Sequence, residues 1–325
     1  MADLSENLRL IKYGCLQATI GPSLLCDICV FIYLIRHWRK EIVKSPQNHV
    51  ILCVLTVSFI EKMTDAIFSL YFFRWGISIL QTETFCTVWT WLNYSLLTVN
   101  LMLIAWCCIE RHLFIFHSQR MKRKLYLNLF HYLPLLLCLC YTPTLYIVLI
   151  FFPSSCTNTW DYTYPYCGSP CYAFVPLWGT YDWLAHYALP ISIISLANLF
   201  LFVRVVWQRI KQGRPVEWNR QKRMIIQLVF ISALYLMLIT PEVIVGVIEA
   251  LWSPTFALDI QLNYFFYITN FVHQLLPFII ITSLPKLHKE LKQSFQRIRR
   301  VYPLEAMNGR EQTNLTRDAT NGKAI

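Results

Sequence analysis

Apolar residues in this chain form long continuous blocks separated by short polar segments. The blocks cover residues 13–35, 50–73, 85–109, 125–152, 183–207, 224–250 and 262–284. Each exceeds the roughly 20 residues that an α-helix needs to cross the hydrocarbon core of a bilayer. The alternating pattern of a membrane β-barrel is absent from the sequence. The pattern therefore predicts an all-α fold, a seven-transmembrane helix bundle over residues 13–284, with residues 1–12 as an N-terminal segment outside it.

Charged residues interrupt the second block. Glu61, Lys62 and Asp65 lie near its middle, and charges inside a bilayer are unfavourable unless they are paired. On a helix, Lys62 and Asp65 are three residues apart and can meet, and Glu61 and Asp65 share a face at four. The cluster is either a self-neutralised structural group or an ion or proton site. Without this block the number of spans would be six.

Composition and charge agree with a membrane protein. Of the 325 residues, 56% are hydrophobic and 14% are charged, and the mean hydropathy is +0.44, which leaves too few polar side chains for a soluble surface. The segments 36–44, 111–124, 204–223 and 286–323 hold 25 of the 29 Lys and Arg residues. The positive-inside rule puts these segments in the cytoplasm and the N-terminus outside, which fits seven spans and not six. Bases distributed in this way favour membrane lipid, not nucleic acid, as their partner.

The twelve cysteines divide between the predicted spans and the predicted outer side. The four on the outer side are Cys86, Cys156, Cys167 and Cys171. An oxidising compartment allows two disulfides among them, and the sequence permits three pairings. We favour Cys86–Cys171, with Cys156–Cys167 closing a small loop. The first bond would attach the loop 153–182 to the outer end of the third span.

The third block ends in Glu110-Arg111-His112, 25 residues after Cys86. At about 1.5 Å per residue this separation covers about 37 Å, so the cysteine and the arginine would lie at opposite faces of the bilayer. An acid and a base at a membrane boundary call for a functional explanation. The alternative is an interfacial arginine that extends towards the headgroups and sets topology.

Seven spans, an outside N-terminus, Cys86 opening the third span and Glu110-Arg111-His112 closing it together resemble the rhodopsin-like (class A) G-protein-coupled receptors. The resemblance covers about residues 13–300. It implies that the three residues at the end of the span form a switch that couples to a G protein. In the resting state Glu110 would hold Arg111.

Further marks of the family lie in the later spans. Pro190, Pro241 and Pro277 stand in the fifth, sixth and seventh spans, where a proline removes a helical hydrogen bond and permits a kink. Residues 285–300 resemble the short amphipathic eighth helix of the family, with leucines at helical spacing between bases. Residues 301–325 would then form a disordered cytoplasmic tail.

The chain also departs from the family pattern. Ser58 stands where the family has its sodium-site aspartate, and Ile239 stands at the aromatic switch position of the sixth span. Leu276 and Ile280 replace the asparagine and tyrosine of the seventh-span motif. The usual sodium-linked polar network is therefore not expected.

Five polar residues are candidates for the ligand pocket: Asn93, Glu242, Tyr267, Asn270 and His273. Asn93 stands where amine receptors of the family carry an aspartate, which disfavours an aminergic receptor. Asn270 stands where opsins have their retinal lysine, which excludes a retinal Schiff base. Glu242 would be the counter-charge for a basic ligand or peptide. The alternative for each is a hydrogen bond between helices.

These features predict a plasma-membrane receptor that passes an extracellular signal, with a peptide as one candidate ligand, to a heterotrimeric G protein. We expect no enzyme activity, no cofactor and no metal site, because phosphate-binding, metal-ligand and nucleophile motifs are absent from the sequence. The main alternative is a seven-span ion-coupled transporter or channel that uses Glu61, Lys62 and Asp65. A third is a chemosensory seven-span protein of unrelated descent.

Overall fold

The computed structural model describes residues 2–43, 45–121, 123–212, 218–253, 256–283 and 287. The chain divides into one compact unit of residues Met1–Ser283 and a second of Leu284–Ile325. Apart from Leu287, the second unit lies outside the described residues, and so do the predicted eighth helix and tail.

The first unit is helical, and no strand occurs in its described ranges. Its α-helices are α1 (Ala2–Arg36), α2 (His49–Met63), α3 (Asp65–Trp75), α4 (Glu83–Phe116), α5 (Ser118–Met121), α6 (Lys124–Leu127), α7 (Leu133–Tyr146), α8 (Pro176–Asp182), α9 (Leu189–Gln212), α10 (Trp218–Leu251), α11 (Leu258–Ile260) and α12 (Phe266–Ser283). Wider π-helical turns link consecutive helices at Asn128–Tyr132, Trp183–Ala188 and Gln261–Phe265, and a further π-helical turn, Ile147–Phe151, extends the end of α7. The fold class predicted from the apolar blocks is confirmed as an all-helical bundle.

By length and composition, six helical segments of the described chain could cross a membrane. They are Glu6–Arg36, Glu83–Phe114, Lys124–Phe151, Pro176–Arg204, Ile226–Leu251 and Asn263–Thr282. Large apolar side chains such as Leu136, Phe200 and Phe202 are exposed on their outer faces, as lipid contact requires. These helices indicate a multi-pass membrane protein.

The second predicted span is helical but interrupted. The chain runs as α2 and α3 with a break at Thr64, whose φ and ψ are −118° and −80°. The three charged side chains of this segment are buried inside the bundle. Apart from Thr56, its exposed positions are apolar: Ile60, Met63, Ile67 and Tyr71. The break leaves α2 and α3, with 15 and 11 residues, each too short to count among the six, and their buried charges point inward.

The helix α4 lies at the centre of the bundle, where it packs against α2, α7, α9 and α10. Its middle turns bury Leu101, Leu103 and Ile104, which accounts for the central position. The helix is continuous from Cys86 to Arg111, so these residues lie at opposite ends of one rod, about 37 Å apart. We call the end near Cys86 the outer end and the end near Arg111 the inner end.

Candidate functional site

Two disulfides fasten the loop above the outer end of α4. They join Cys86 to Cys167 and Cys156 to Cys171. The prediction that these four cysteines form two disulfides is confirmed, but the predicted pairing was wrong. We call residues 153–175, between the π-helical turn after α7 and the start of α8, the cover loop.

Local hydrogen bonds explain the observed pairing. The Asn158 side chain donates to the carbonyl of Ile150 at 2.9 Å and accepts from the Cys171 amide at 2.9 Å, which brings Cys171 back to Cys156. Cys167 therefore lies at the tip of a closed ring. The tight turn there has positive φ at Tyr166 and Cys167 and points the tip down onto α4.

The tip of the cover loop is fixed to α4 at two points. Cys86 supplies the disulfide, and Thr90, one turn further along the same face, donates its hydroxyl to the carbonyl of Tyr166 at 2.9 Å. The Tyr166 ring packs on Trp89, with ring centroids 5.4 Å apart. The loop is therefore held at a fixed height above the bundle.

A cavity lies beneath the cover loop and between the outer ends of α4, α10 and α12 and the segment formed by α8 and the π-helical turn after it. It encloses about 810 Å³ of unfilled space, including its open mouth. Two of the predicted pocket residues, Asn93 and Glu242, line it. Aromatic side chains complete the wall, among them Tyr94, Tyr187 and Trp183.

Two acids line this cavity, and their surroundings differ. Asp182 accepts hydrogen bonds from Tyr146 at 2.7 Å and Tyr172 at 3.0 Å, and it pairs with His186 at 2.6 Å. Glu242 is 3% exposed, and its Oε2 atom has no hydrogen-bond partner among the described residues. Asp182 is therefore part of the wall, whereas Glu242 offers an unused acceptor to the cavity.

The Trp183 indole fits closely against α10 at Gly246, one turn beyond Glu242. A methyl group on Gly246 would overlap the six-membered part of the Trp183 ring. The missing side chain at Gly246 therefore lets a large aromatic ring pack against α10 one turn from Glu242, and both side chains line the cavity.

A second, smaller cavity continues deeper from the first and shares Asn93 and Tyr166 with it. Its lining includes Asp65, which accepts from the Trp89 indole at 2.7 Å and from the Asn93 amide at 3.2 Å. Glu61 also lines it, and the Glu61 Oε2 atom has no hydrogen-bond partner among the described residues.

The predicted pairing of Lys62 with Asp65 was wrong. The break at Thr64 separates the two residues, and Lys62 turns instead to α1, where it forms an ion pair with Asp27. The Lys62 ammonium also donates to the Ser23 hydroxyl and to the carbonyl of His273, each at 3.1 Å. Its three N–H groups thus tie α1, α2 and α12 together.

The remaining pocket candidates lie elsewhere. Asn270 and His273 line the deeper cavity rather than the outer one, and His273 hydrogen-bonds with Ser58 and Asn100, both at 3.2 Å. Tyr267 lines neither cavity. Its hydroxyl donates to the carbonyl of Lys12 at 2.9 Å, which is a contact between helices, as the alternative reading allowed.

At the inner end of the bundle, Glu110 is paired. Its Oε1 atom binds His131 Nδ1, and His131 Nε2 lies 2.9 Å from His49 Nδ1. Arg111 is 2% exposed and lies beneath side chains of α10 and α12. His112 hydrogen-bonds with the carbonyl of Ala197 on α9 at 2.8 Å. All three predicted switch residues are thus fixed within the bundle at one end of α4.

The chain matches no protein-family model and no curated protein. The chemistry of the site therefore has to be inferred from its own residues.

Two residues that bind predicted site residues were missed in the sequence analysis, Asp27 and His131. Only one of them could have been found from the sequence. Asp27 is the sole charge in the first apolar block, which marks it as a partner for Lys62. Nothing in the sequence distinguishes His131 from the other histidines.

The three predicted kink prolines all lie in long helices. Pro241 and Pro277 stand inside α10 and α12, and Pro190 follows directly on the π-helical turn that opens into α9. Pro241 immediately precedes Glu242. The helix hydrogen bonding is thus weakened next to the unpartnered carboxylate.

Proposed function

We propose that this chain is a divergent rhodopsin-like receptor of the plasma membrane, with its N-terminus outside, that transmits the binding of an extracellular ligand to a heterotrimeric G protein. One observation carries the proposal. A single helix, α4, connects a cavity under a covalently fixed loop with the buried side chains of Glu110 and Arg111 about 37 Å away.

The proposal requires α2 and α3 to act as a seventh crossing. Together they span residues 49–75, which is about 40 Å of helix and long enough for the bilayer. Glu61, Lys62 and Asp65 are inside the bundle, Ile60, Ile67 and Tyr71 are turned outward, and the exposed Arg74 lies at the outer end of α3. With this crossing, the basic segments fall on one side of the membrane.

The geometry supports a route from the cavity to the inner end. A ligand between Trp183 and Glu242 would contact both the start of the α9 rod and α10. Pro241 allows α10 to bend at that level. At the inner end, Leu228 and Ile231 of α10 line the same small cavity as the buried Arg111. An outward movement of α10 would expose Arg111 to a G protein, which is a two-state change of a packed bundle.

The transporter alternative rests on the buried charges of α2 and α3, Glu61, Lys62 and Asp65. The Lys62 contacts count against it, because Asp27, Ser23 and the carbonyl of His273 already satisfy the three donors of the ammonium. A carried ion would have to displace this arrangement. A static bridge between three helices is the simpler function of such a group.

The test is receptor-driven nucleotide exchange on purified G proteins, with the full chain in lipid nanodiscs. Leu228→Ala removes part of the apolar wall over Arg111, so we expect it to raise basal exchange above that of the wild type. Adding Arg111→Ala to this variant should abolish the gain, and Arg74→Ala, a matched change at the outer end, should not.

Two results would contradict the proposal. One is a Leu228→Ala protein that folds but drives no exchange on any G-protein class, together with ion flux into liposomes that depends on Lys62. The other is epitope tags at the N- and C-termini that label from the same side of the cell membrane, because seven crossings place them on opposite sides.

A further inference from the structure

We propose that the ligand of the outer cavity is an organic cation, a protonated amine or guanidinium on an aromatic or apolar body, and that Glu242 binds its charge. This inference rests on the proposed function, in which binding of the ligand causes signalling. It adds the chemical class of that ligand. An amine is not excluded by the asparagine at position 93, because the carboxylate comes from α10 instead of α4.

The state of Glu242 is the first argument. Its side chain is buried, lines the cavity, and has an Oε2 atom without a partner among the described residues. Buried carboxylates are normally paired or hydrogen-bonded, because desolvation of the charge is otherwise uncompensated. A cationic N–H group in the cavity would provide the missing partner, and charge-assisted hydrogen bonds of this kind are the strong ones.

The charge around the cavity is the second argument. None of its described lining residues is a lysine, arginine or histidine, whereas Asp182 and Glu242 are both acids. The cover loop has no basic residue in its sequence and adds Asp161 on its exposed face. Hydrogen bonds from Thr163 hold the pKa of Asp161 below its ordinary value, so this carboxylate stays charged. The described lining and the cover loop above it thus carry acids and no base, which favours a cation over an anion inside the cavity.

The aromatic wall is the third argument. Tyr94, Tyr187, Trp183 and Phe266 line the same cavity as Glu242. Aromatic faces attract cations and also bury the apolar body of a ligand. Gly246 places Trp183 at the level of the carboxylate, so the two kinds of contact are close together.

Asp182 cannot take this role, although it lines the same cavity. Two tyrosine hydroxyls and His186 already occupy its oxygens at 2.6 to 3.0 Å. A ligand cation would have to break this network. Glu242 has no such commitment, which is why the proposal places the charge contact there.

The test is ligand-induced thermal stabilisation of the full chain in nanodiscs, without a G protein. The probes are phenethylamine, its neutral analogue phenethyl alcohol and its anionic analogue phenylacetate. Each is titrated to a concentration about ten times the millimolar Kd expected for a small fragment. We expect only the amine to raise the Tm. A blocked dipeptide of phenylalanine and lysine, compared with its lysine-acetylated form, tests whether the cation can be part of a peptide.

Glu242→Gln should weaken amine binding at least tenfold and remove the preference over the alcohol. Glu249→Gln, the same change on the same helix outside the cavity lining, should leave that preference intact. Equal shifts with all three small probes, no shift with either cationic probe, or an amine preference that persists in Glu242→Gln would each overturn the proposal.

This binding test is independent of signalling. Amine-specific binding that depends on Glu242, with no nucleotide exchange in the G-protein assay, would leave the ligand class standing and refute the receptor function. Nucleotide exchange on a G protein without amine-specific binding would support the receptor function and refute the ligand class.

Discussion

Glu110 at the inner end of α4 and Glu242 on α10 are both buried carboxylates, yet their surroundings are opposite. Glu110 binds His131, which in turn contacts His49, so its charge is met by the protein itself. Glu242 lines a cavity at the outer end, and its carboxyl group has no hydrogen-bond partner among the described residues, whereas in Glu110 only Oε2 lacks one. One bundle thus contains an acid that joins helices and a second acid without a partner at a cavity, where we propose that a ligand binds.

The two disulfides provide the largest expected difference at the outer end. The sequence separations are 81 residues for Cys86–Cys167 and 15 for Cys156–Cys171. Loop entropy predicts contributions of about 4.5 and 3 kcal/mol respectively. Cys86→Ser with Cys167→Ser should therefore lower the thermal stability more than Cys156→Ser with Cys171→Ser. An equal loss in the two double variants, measured by thermal unfolding in nanodiscs, would show that the cover loop is not anchored through Cys86.

The Lys62–Asp27 ion pair resembles Glu110 in that the protein itself supplies the partner of a buried acid, here between α1 and α2. Lys62→Leu leaves Asp27 buried without its ion pair and should destabilise the fold by about 4 kcal/mol. The double variant Lys62→Leu with Asp27→Leu should recover most of this loss, because both charges are gone. A double variant as unstable as the single one would point to a role for the charges beyond mutual neutralisation.

Gly246→Ala tests the close fit beside Glu242. The added methyl group overlaps the Trp183 ring, so we expect a loss of about 2 kcal/mol in stability and a weaker amine response. Trp183→Phe in the same background should restore the stability by making room. If Gly246→Ala alone is neutral in both measurements, Trp183 is free to move and does not shape the cavity.

The smallest effect is also the most direct comparison, since the same substitution is made in both regions. Glu110→Gln weakens a charged hydrogen bond with His131 and should lower stability by about 1 kcal/mol. Glu242→Gln replaces a buried carboxyl group that lacks a hydrogen-bond partner and should leave stability unchanged or raise it by up to about 1 kcal/mol. The two changes in Tm should thus have opposite signs or differ clearly, and equal losses would remove the distinction between the two acids.

The helices could be predicted from the sequence because the bilayer imposes a minimum length on every apolar block. Six of the seven blocks appear as helices long and apolar enough to cross a membrane. The exception, residues 50–73, is helical but broken at Thr64 into two helices that are each too short to count, and its charges point inward while most of its exposed side chains are apolar. Hydropathy averages over all faces of a helix, whereas burial depends on each face separately.

The partners of charged residues were harder to predict than the helices. Lys62 and Asp65 are close in sequence, and an unbroken helix would have placed them together. The helix is broken at Thr64, so that argument does not hold, and nothing in the sequence of this segment predicts the break. The cysteine pairing depended in the same way on a local detail, the Asn158 side chain that returns Cys171 to Cys156.

The nested arrangement of the disulfides has a consequence for how a molecule could reach the cavity. Because Cys167 lies within the ring closed by Cys156 and Cys171, the roof cannot swing open on a hinge as a single-stranded flap would. Entry has to pass along its rim, where Tyr164 and Pro165 stand. Bulk at the rim would then slow arrival and departure equally, which lengthens residence time while leaving equilibrium affinity unchanged.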